Sequence, residues 1–251
     1  MRVAAIIPAR YQSTRLPAKP LRMLGCKSII QWVYEAVHAV IEDVIVATDD
    51  QRIVDEVERF GGRAIMTSTE HRSGTDRCAE ALSKMGGEYD VVVNVQGDEP
   101  FIRKEHIEAL VACFDNPATE IATLAKAITE EESESIHNPN CVKVVTDMRN
   151  RALYFSRATI PYQRDVEPKE WHKHHTYYKH IGIYAFRAQA LMDVTALGTS
   201  ALELSEKLEQ LRWLEHGYHI SVAMTEFATV GIDTPEDLTR AEDLLKQLEL
   251  L

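Results

Sequence analysis

Residues 3–7, 43–47, 63–66 and 90–95 are short runs rich in β-branched and apolar side chains, separated by stretches of helical period at 28–40, 51–60 and 75–85. Strands that alternate with helices in this way pair in parallel, because each helix carries the chain back across the sheet. The run Val91-Val-Val-Asn-Val95 has almost no polar face, as a central strand covered on both sides requires. In 28–40, Ile29, Val33, Ala36, Val37 and Val40 form one apolar stripe, which reads as core. A helix after Ile102 to about Phe114 and a strand at 121–127 continue the pattern. The expected class is α/β, a mostly parallel sheet with helices on both faces.

From about 138 to 186 the texture changes to strand-like segments at 142–146, 152–155 and 177–186 joined by polar loops. The 251 residues suit one domain, with 138–186 expected as an inserted antiparallel sub-lobe. Helical patterns return at 188–194 and 202–216, and a last helix follows Asp233-Thr-Pro-Glu-Asp237. There Thr234 can cap, Pro235 suits the first turn, and the acids favour the positive helix end. Leu238, Ala241, Leu244, Leu245 and Leu248 give that helix one apolar face.

Charge is distributed unevenly. The chain carries 39 Asp plus Glu against 28 Lys plus Arg, a net charge of -11, yet six cations precede its first carboxylate, Glu35. Four of them, Arg10, Arg15, Lys19 and Arg22, lie in the loop leaving the first strand. Ligands of open parallel sheets sit at the carboxyl ends of strands, and clustered Arg and Lys there match a polyphosphate. The acidic balance argues against nucleic acid or an anionic membrane as partner, since either requires a broad basic face. Cys26, Cys78, Cys113 and Cys141 are scattered, without a C-x-x-C pair, which suggests neither a zinc site nor a disulfide framework and suits a reducing cytosol. The apolar run after Arg2 is too short for a signal peptide, and no later run could span a bilayer. The expected location is cytoplasmic.

A second motif, Asn94-Val-Gln96-Gly97-Asp98-Glu99-Pro100, ends the most hydrophobic strand. Asp98 there offers a hard oxygen ligand of the kind magnesium takes, while Gly, Asp and Pro equally make a plain turn. Asp233 poses the same choice between metal ligand and helix-start residue. The tract Trp171-His172-Lys173-His174-His175 and the acidic run 129–134 read as exposed loop and solvated face.

Ile7-Pro-Ala-Arg10, Arg15-Leu-Pro, Lys19-Pro-Leu21, Ser73-Gly-Thr-Asp-Arg77, the Asn94 to Pro100 motif, Asn138-Pro-Asn140, the run from Ala152 to Pro161, His180-Ile-Gly-Ile-Tyr184, Leu208-Glu-Gln-Leu-Arg212 and Asp233 to Asp237 occur in one order along the whole chain. Together they resemble the 3-deoxy-manno-octulosonate cytidylyltransferase (CMP-Kdo synthetase) family. The resemblance implies a Rossmann-like nucleotidyltransferase fold, a homodimer joined through the sub-lobe, and transfer of CMP from CTP to the anomeric hydroxyl of Kdo (3-deoxy-D-manno-octulosonate), releasing pyrophosphate, for lipopolysaccharide synthesis. It further implies catalytic roles for Arg10, Arg15, Lys19 and Asp98. CTP would lie against Pro8, Ala9, Arg10, Arg15, Lys19, Ser73, Gly74 and Gln96. Kdo would meet Gln96, Arg157, His180, Tyr184, Glu209 and Gln210, and Asp98 and Asp233 would share Mg2+. Without the resemblance, Arg157 reads as a surface ion pair, Tyr184 as a core-edge aromatic, and Glu209 and Gln210 as solvated flanks of a Leu204, Leu208, Leu211 stripe.

Two positions depart from the family pattern. Ala18 stands where the family usually has Gly, so a positive φ there would add strain of about 1 kcal/mol. Gly25-Cys-Lys-Ser-Ile29 shifts the spacing after the loop, although Ser28 can still cap the next helix. Alternatives are a CMP-sugar synthetase for a sialic-acid substrate, disfavoured by the sub-lobe motifs, one for an amino-Kdo, which the sequence does not separate from Kdo, and a nucleotide-binding dimer without catalysis.

Overall fold

The computed structural model describes residues 1–13 and 15–247. In chain order the elements are β1 (Val3–Ala9), β2 (Met23–Leu24), β3 (Lys27–Ser28), α1 (Ile29–His38), β4 (Asp43–Thr48), α2 (Gln51–Arg59), β5 (Ala64–Met66), α3 (Gly74–Met85) and β6 (Val91–Asn94). They continue as α4 (Lys104–Ala112), β7 (Ile121–Ala127), β8 (Lys143–Thr146), β9 (Ala152–Ser156), α5 (Trp171–His174), β10 (Tyr178–Arg187), α6 (Ala188–Thr195), α7 (Ala201–Glu206), α8 (Gln210–Glu215), β11 (Ile220–Thr225) and α9 (Pro235–Gln247). Contacts divide the chain into two compact units, Met1–Glu108 with the segment from Thr229 onward, and Ala109–Ala228. The 138–186 segment lies inside the second.

In the first unit β1 lies between β4 and β6 and β5 lies outside β4, all paired in parallel, while the short β2 and β3 pair antiparallel beside them. The expected βαβ order is therefore what forms, and β1, β4 and β6 are buried almost throughout. Local chemistry starts several helices at a residue with a suitable side chain. Ser28 Oγ accepts from the Gln31 N–H, Ser73 and Asp76 make a reciprocal capping box, and Thr234 Oγ1 accepts from the Asp237 N–H at 3.1 Å. Leu16, Leu24, Ile29, Ile232, Ala241 and Leu245 pack into one cluster. It ties the loop after β1 to α1 and α9, each buried Leu or Ile contributing about 1.5–3 kcal/mol. Of the apolar face read for α9, Leu248 lies outside the described residues.

In the second unit β7 forms at the expected residues, but it pairs antiparallel with β10 and parallel with β11. Strand β8 pairs antiparallel with β9 and meets β10 at Lys143 and Lys179. Strand β11 was not expected: Ile220-Ser-Val-Ala-Met-Thr225 alternates weakly, and its partner β7 comes from tertiary structure. The expected helix at 202–216 is two helices, because Lys207 adopts a left-handed conformation with φ 54°. Arg212 then grips Glu203 through two bonds of 2.7 and 2.6 Å, fixing α8 against α7. Gln210 is correspondingly buried, 4% exposed, and Leu204 exposed, which reverses the surface reading of that stripe.

The acidic run 129–134 is not wholly solvated either. Glu132 accepts from Lys126 and Lys179, each at 2.7 Å. Burial alone would raise its pKa, but these two ammonium groups bring it down to about 2. Its folded pKa lies below its unfolded value, so the bridge stabilises the fold above the ordinary glutamate range and loses that effect as pH falls toward about 2. Because the carboxylate is 32% exposed, screening holds its worth to about 1 kcal/mol or less. Thermal unfolding from pH 6 to pH 3 should show Glu132→Gln less stable at pH 6, with the gap to wild type closing on acidification; a constant gap would refute the ionic origin.

Candidate active site

Strands β1 and β6 are parallel neighbours, with Ile6 opposite Asn94, so their carboxyl ends deliver two loops to the same edge. The closeness of these loops explains Gly97: a Cβ there would stand 2.9 Å from the Pro8 carbonyl oxygen. Between them opens a cavity of about 360 Å³. Pro8, Ala9, Arg10, Arg15, Lys19, Gly74 and Gln96 line it, together with Asp98 and Asp233. Of the residues expected to hold CTP, only Ser73 is not in the wall; it caps α3, whose first residue Gly74 is. Gln12 and Ser13 also line the cavity. Neither is marked in the sequence, because polar residues between two arginines carry no periodic signal.

The loop after β1 is built on backbone bonds. The Ala18 N–H donates to the Tyr11 carbonyl at 3.2 Å, and the Tyr11 ring carries the Arg52 guanidinium 3.4 Å from its centroid. Arg52 is itself gripped by Asp50 through bonds of 2.8 and 2.6 Å. To present Lys19, Ala18 takes φ 55° and ψ 32°, the left-handed conformation that the family's usual glycine would adopt without strain.

Lys19 is the centre of the site. Its Nζ donates to Asp98 Oδ2 at 2.5 Å and to Asp233 Oδ1 at 2.9 Å, while Arg15 reaches Asp233 Oδ2 at 3.1 Å. Burial alone would lower the Lys19 pKa, but the charges and hydrogen bonds of the two aspartates raise it. The two carboxylates, remote in sequence, thus converge on one cationic nitrogen. Backbone geometry enforces this, since the Ile232 N–H donates to the Asp98 carbonyl at 3.0 Å. Glu99 lies beneath, bonded to Thr229, its carboxyl pushed up to about 7 by burial and then by the charge of Asp98. Arg10 is anchored differently, donating to the His71 carbonyl at 2.7 Å. Its pKa is lowered by burial and by Arg77, a fully buried guanidinium that pairs with Asp49 at 2.7 Å.

Of the residues expected on the sugar side, Gln96 lies in this first-unit cavity and the others belong to the second unit. His180 and Tyr184 stand 5.5 Å apart by ring centroid, and Tyr184 packs edge-on against Trp213 at 5.0 Å. Burial raises the Tyr184 pKa well above its ordinary value, helped by the charge of Glu209. Desolvation pushes His180 down to about 3. Arg157 is no surface ion pair: its Nε donates to the Glu206 carbonyl at 2.7 Å and an Nη to that of Pro139 at 3.1 Å. In the histidine tract Trp171 is buried and His174 and His175 exposed. Among the described residues no group of three or more His, Cys, Asp or Glu is arranged to hold a metal ion by itself.

The sequence pattern of the cytidylyltransferase family matches residues 4–222. The 3-deoxy-manno-octulosonate cytidylyltransferase of Phocaeicola vulgatus is 58% identical over 250 residues, 99% of each chain. That of Bacteroides thetaiotaomicron is 56% identical over 98% of this chain and 99% of its own. The solved structure of CMP:2-keto-3-deoxy-manno-octonic acid synthetase complexed with CTP is similar to this chain with a TM-score of 0.90 and 43% identity, covering 99% of this chain and 100% of that one. A 4-diphosphocytidyl-2C-methyl-D-erythritol synthase from Anaerococcus prevotii, 14% identical with a TM-score of 0.62 over 98% of each chain, shares the α/β nucleotidyltransferase fold alone.

The strained loop gives a direct test. Ala18→Gly relieves the left-handed penalty and adds unfolded-chain entropy, so the net change should lie between zero and about 1 kcal/mol in favour of the variant. Urea unfolding measures this; a loss above about 1 kcal/mol would mean that Ala18 does not hold a positive φ.

Proposed function

The chain belongs to the cytidylyltransferase family, and from that membership we propose that it transfers CMP from CTP to the anomeric hydroxyl of Kdo, giving CMP-Kdo and pyrophosphate. The observation that carries the reading is the meeting of Asp98 and Asp233 on one cation in the wall of a cavity that also presents Arg10 and Arg15. Phosphoryl-type transfer asks for positioning and for charge to offset the pyrophosphate as it leaves. Arg10 and Arg15 offer planar forks to phosphate oxygens, Lys19 a compact ammonium, and the first turn of α3 at Gly74 backbone N–H groups.

The same two carboxylates fit a divalent cation, because their oxygens already share one positive centre and because Mg2+ takes one or two carboxylates beside phosphate oxygens and water. When bound, such an ion neutralises phosphate charge and lowers the pKa of a hydroxyl it touches. Lys19 and Arg15 then hold the carboxylates in register and balance their charge.

On the sugar side, Kdo is an acid rich in hydroxyl groups. Arg157, with its orientation fixed by two carbonyls, supplies positive charge; His180, Tyr184, Glu209 and Gln210 supply neutral and anionic partners for hydroxyls, and Gln96 an amide beside the nucleotide. The homodimer is assigned to 138–186, where Met148, Leu153 and Tyr162 are 102, 62 and 76% exposed. The product would serve lipopolysaccharide synthesis. A cytosolic setting suits the four cysteines, all free; among the described residues no helix is long and apolar enough to cross a membrane. Fractionation of cells that make the protein would test that setting.

Pyrophosphate release from CTP and Mg2+ should be supported by Kdo and not by sialic acid, and the reverse result would replace the substrate. In the same assay Asp98→Asn should lose about 100-fold or more in turnover with its circular dichroism unchanged; full activity would remove Asp98 from the chemistry. By sedimentation the wild type should run as a dimer and Leu153→Lys should shift toward monomer; an unaltered dimer places the contact elsewhere.

A further inference from the structure

Strand β10 breaks register with β7 between Ile181 and Tyr184. The irregularity brings two backbone carbonyls to a single side chain of β7. Thr123, fully buried, has its Oγ1 at 3.2 Å from the Ile181 oxygen and 2.9 Å from the Ile183 oxygen. The same Oγ1 lies 2.9 Å from His180 Nε2.

A hydroxyl has one proton to donate and lone pairs with which to accept, and a carbonyl oxygen can only accept. The Thr123 proton therefore goes to the carbonyls, with Ile183 the nearer. With that proton on a carbonyl, the contact with His180 is a hydrogen bond when the imidazole donates its Nε2 proton to Oγ1. A neutral imidazole carries one N–H, so Nδ1 is left as a lone pair. Among the described residues that nitrogen has no hydrogen-bond partner, and His180 retains partial exposure. Phe155, edge-on at 4.8 Å, and Tyr184 at 5.5 Å flank the ring.

We propose that Thr123 is a positioning residue, which fixes His180 as the Nε2–H tautomer and so presents Nδ1 as an acceptor for one hydroxyl of the sugar acid; this rests on the placing of His180 on the sugar side. The low pKa of His180 agrees, since burial favours the neutral ring. Thr123 needs no contact with substrate for this role. The β7 hydroxyl orients the ring through Nε2, and the ring's other nitrogen meets the ligand.

The tautomer is directly readable. In the full-length protein labelled with 15N-histidine, long-range proton–nitrogen correlation, assigned by the signal missing from His180→Asn, should show a protonated Nε2 and a bare Nδ1. Thr123→Val, close in shape, should mix or invert the tautomers, and Thr123→Ser should restore the wild-type pattern. Kinetically, Thr123→Val should raise KM for Kdo about tenfold and leave KM for CTP within about twofold, with Thr123→Ser close to wild type. A wild-type Nδ1–H tautomer, or one unchanged in folded Thr123→Val, overturns the positioning role. If the tautomer responds as expected but neither Thr123→Val nor His180→Asn moves the Kdo KM, the placing of His180 on the sugar side fails, and the functional half of the proposal with it.

Discussion

One ammonium group holds the first unit's site together. Asp98 lies in the turn after β6 and Asp233 precedes α9, and two carboxylates brought this near repel unless positive charge stands between them. Lys19 provides that charge to both, and Arg15 adds a second contact on Asp233. The surrounding structure serves this arrangement. The Leu16 cluster fixes the loop that carries Lys19 against α9, and the bond from Ile232 to the Asp98 carbonyl sets the two acids side by side. The interaction is also one that a phosphate-bearing ligand and a divalent ion can take over, because each partner in it is a group such ligands bind.

Strand polarity explains why the elements meet there. Parallel neighbours send their loops out at one edge, so the residues after β1 and β6 share a cavity although a long stretch of chain separates them. The approach is tight enough to forbid a side chain at residue 97. Arg52, held by Asp50 over Tyr11, stiffens the base of the cationic loop, and the left-handed Ala18 turns Lys19 inward. Strain in that residue is tolerated because bonds on both sides fix the backbone, from the Ala18 N–H to Tyr11 and from the Leu21 N–H to the Ala18 carbonyl.

The second unit meets a different demand, hydrogen-bond partners for charged and polar groups that it buries. Lys143 is fully buried, yet its ammonium donates to the carbonyls of Asn138, Cys141 and Arg157 at 2.8, 2.5 and 2.8 Å. It thereby ties the Asn138-Pro-Asn140 loop to Arg157, whose own guanidinium reaches Pro139 and Glu206. Thr123 and His180 follow the same rule with neutral partners. Their sequence signals were weak for this reason: a threonine in Ile121-Ala-Thr-Leu-Ala125 looks like strand filler, and a lysine before Val-Val looks like a strand edge.

The sequence by itself determined the βαβ order of the first unit, the positions of β7 and β10, the caps at Ser28 and Thr234, and the cationic loop. Each of these is written in neighbouring residues, through periodicity, a hydroxyl at a helix start, or charge crowded into one loop. Tertiary structure alone decided the antiparallel pairing of β7, the strand status of 220–225, the break at Lys207 with the burial of Gln210, and the convergence of Asp98 with Asp233. Those depend on which segment comes to lie beside which, and a partner supplied from far along the chain leaves no period or spacing at the residues that receive it.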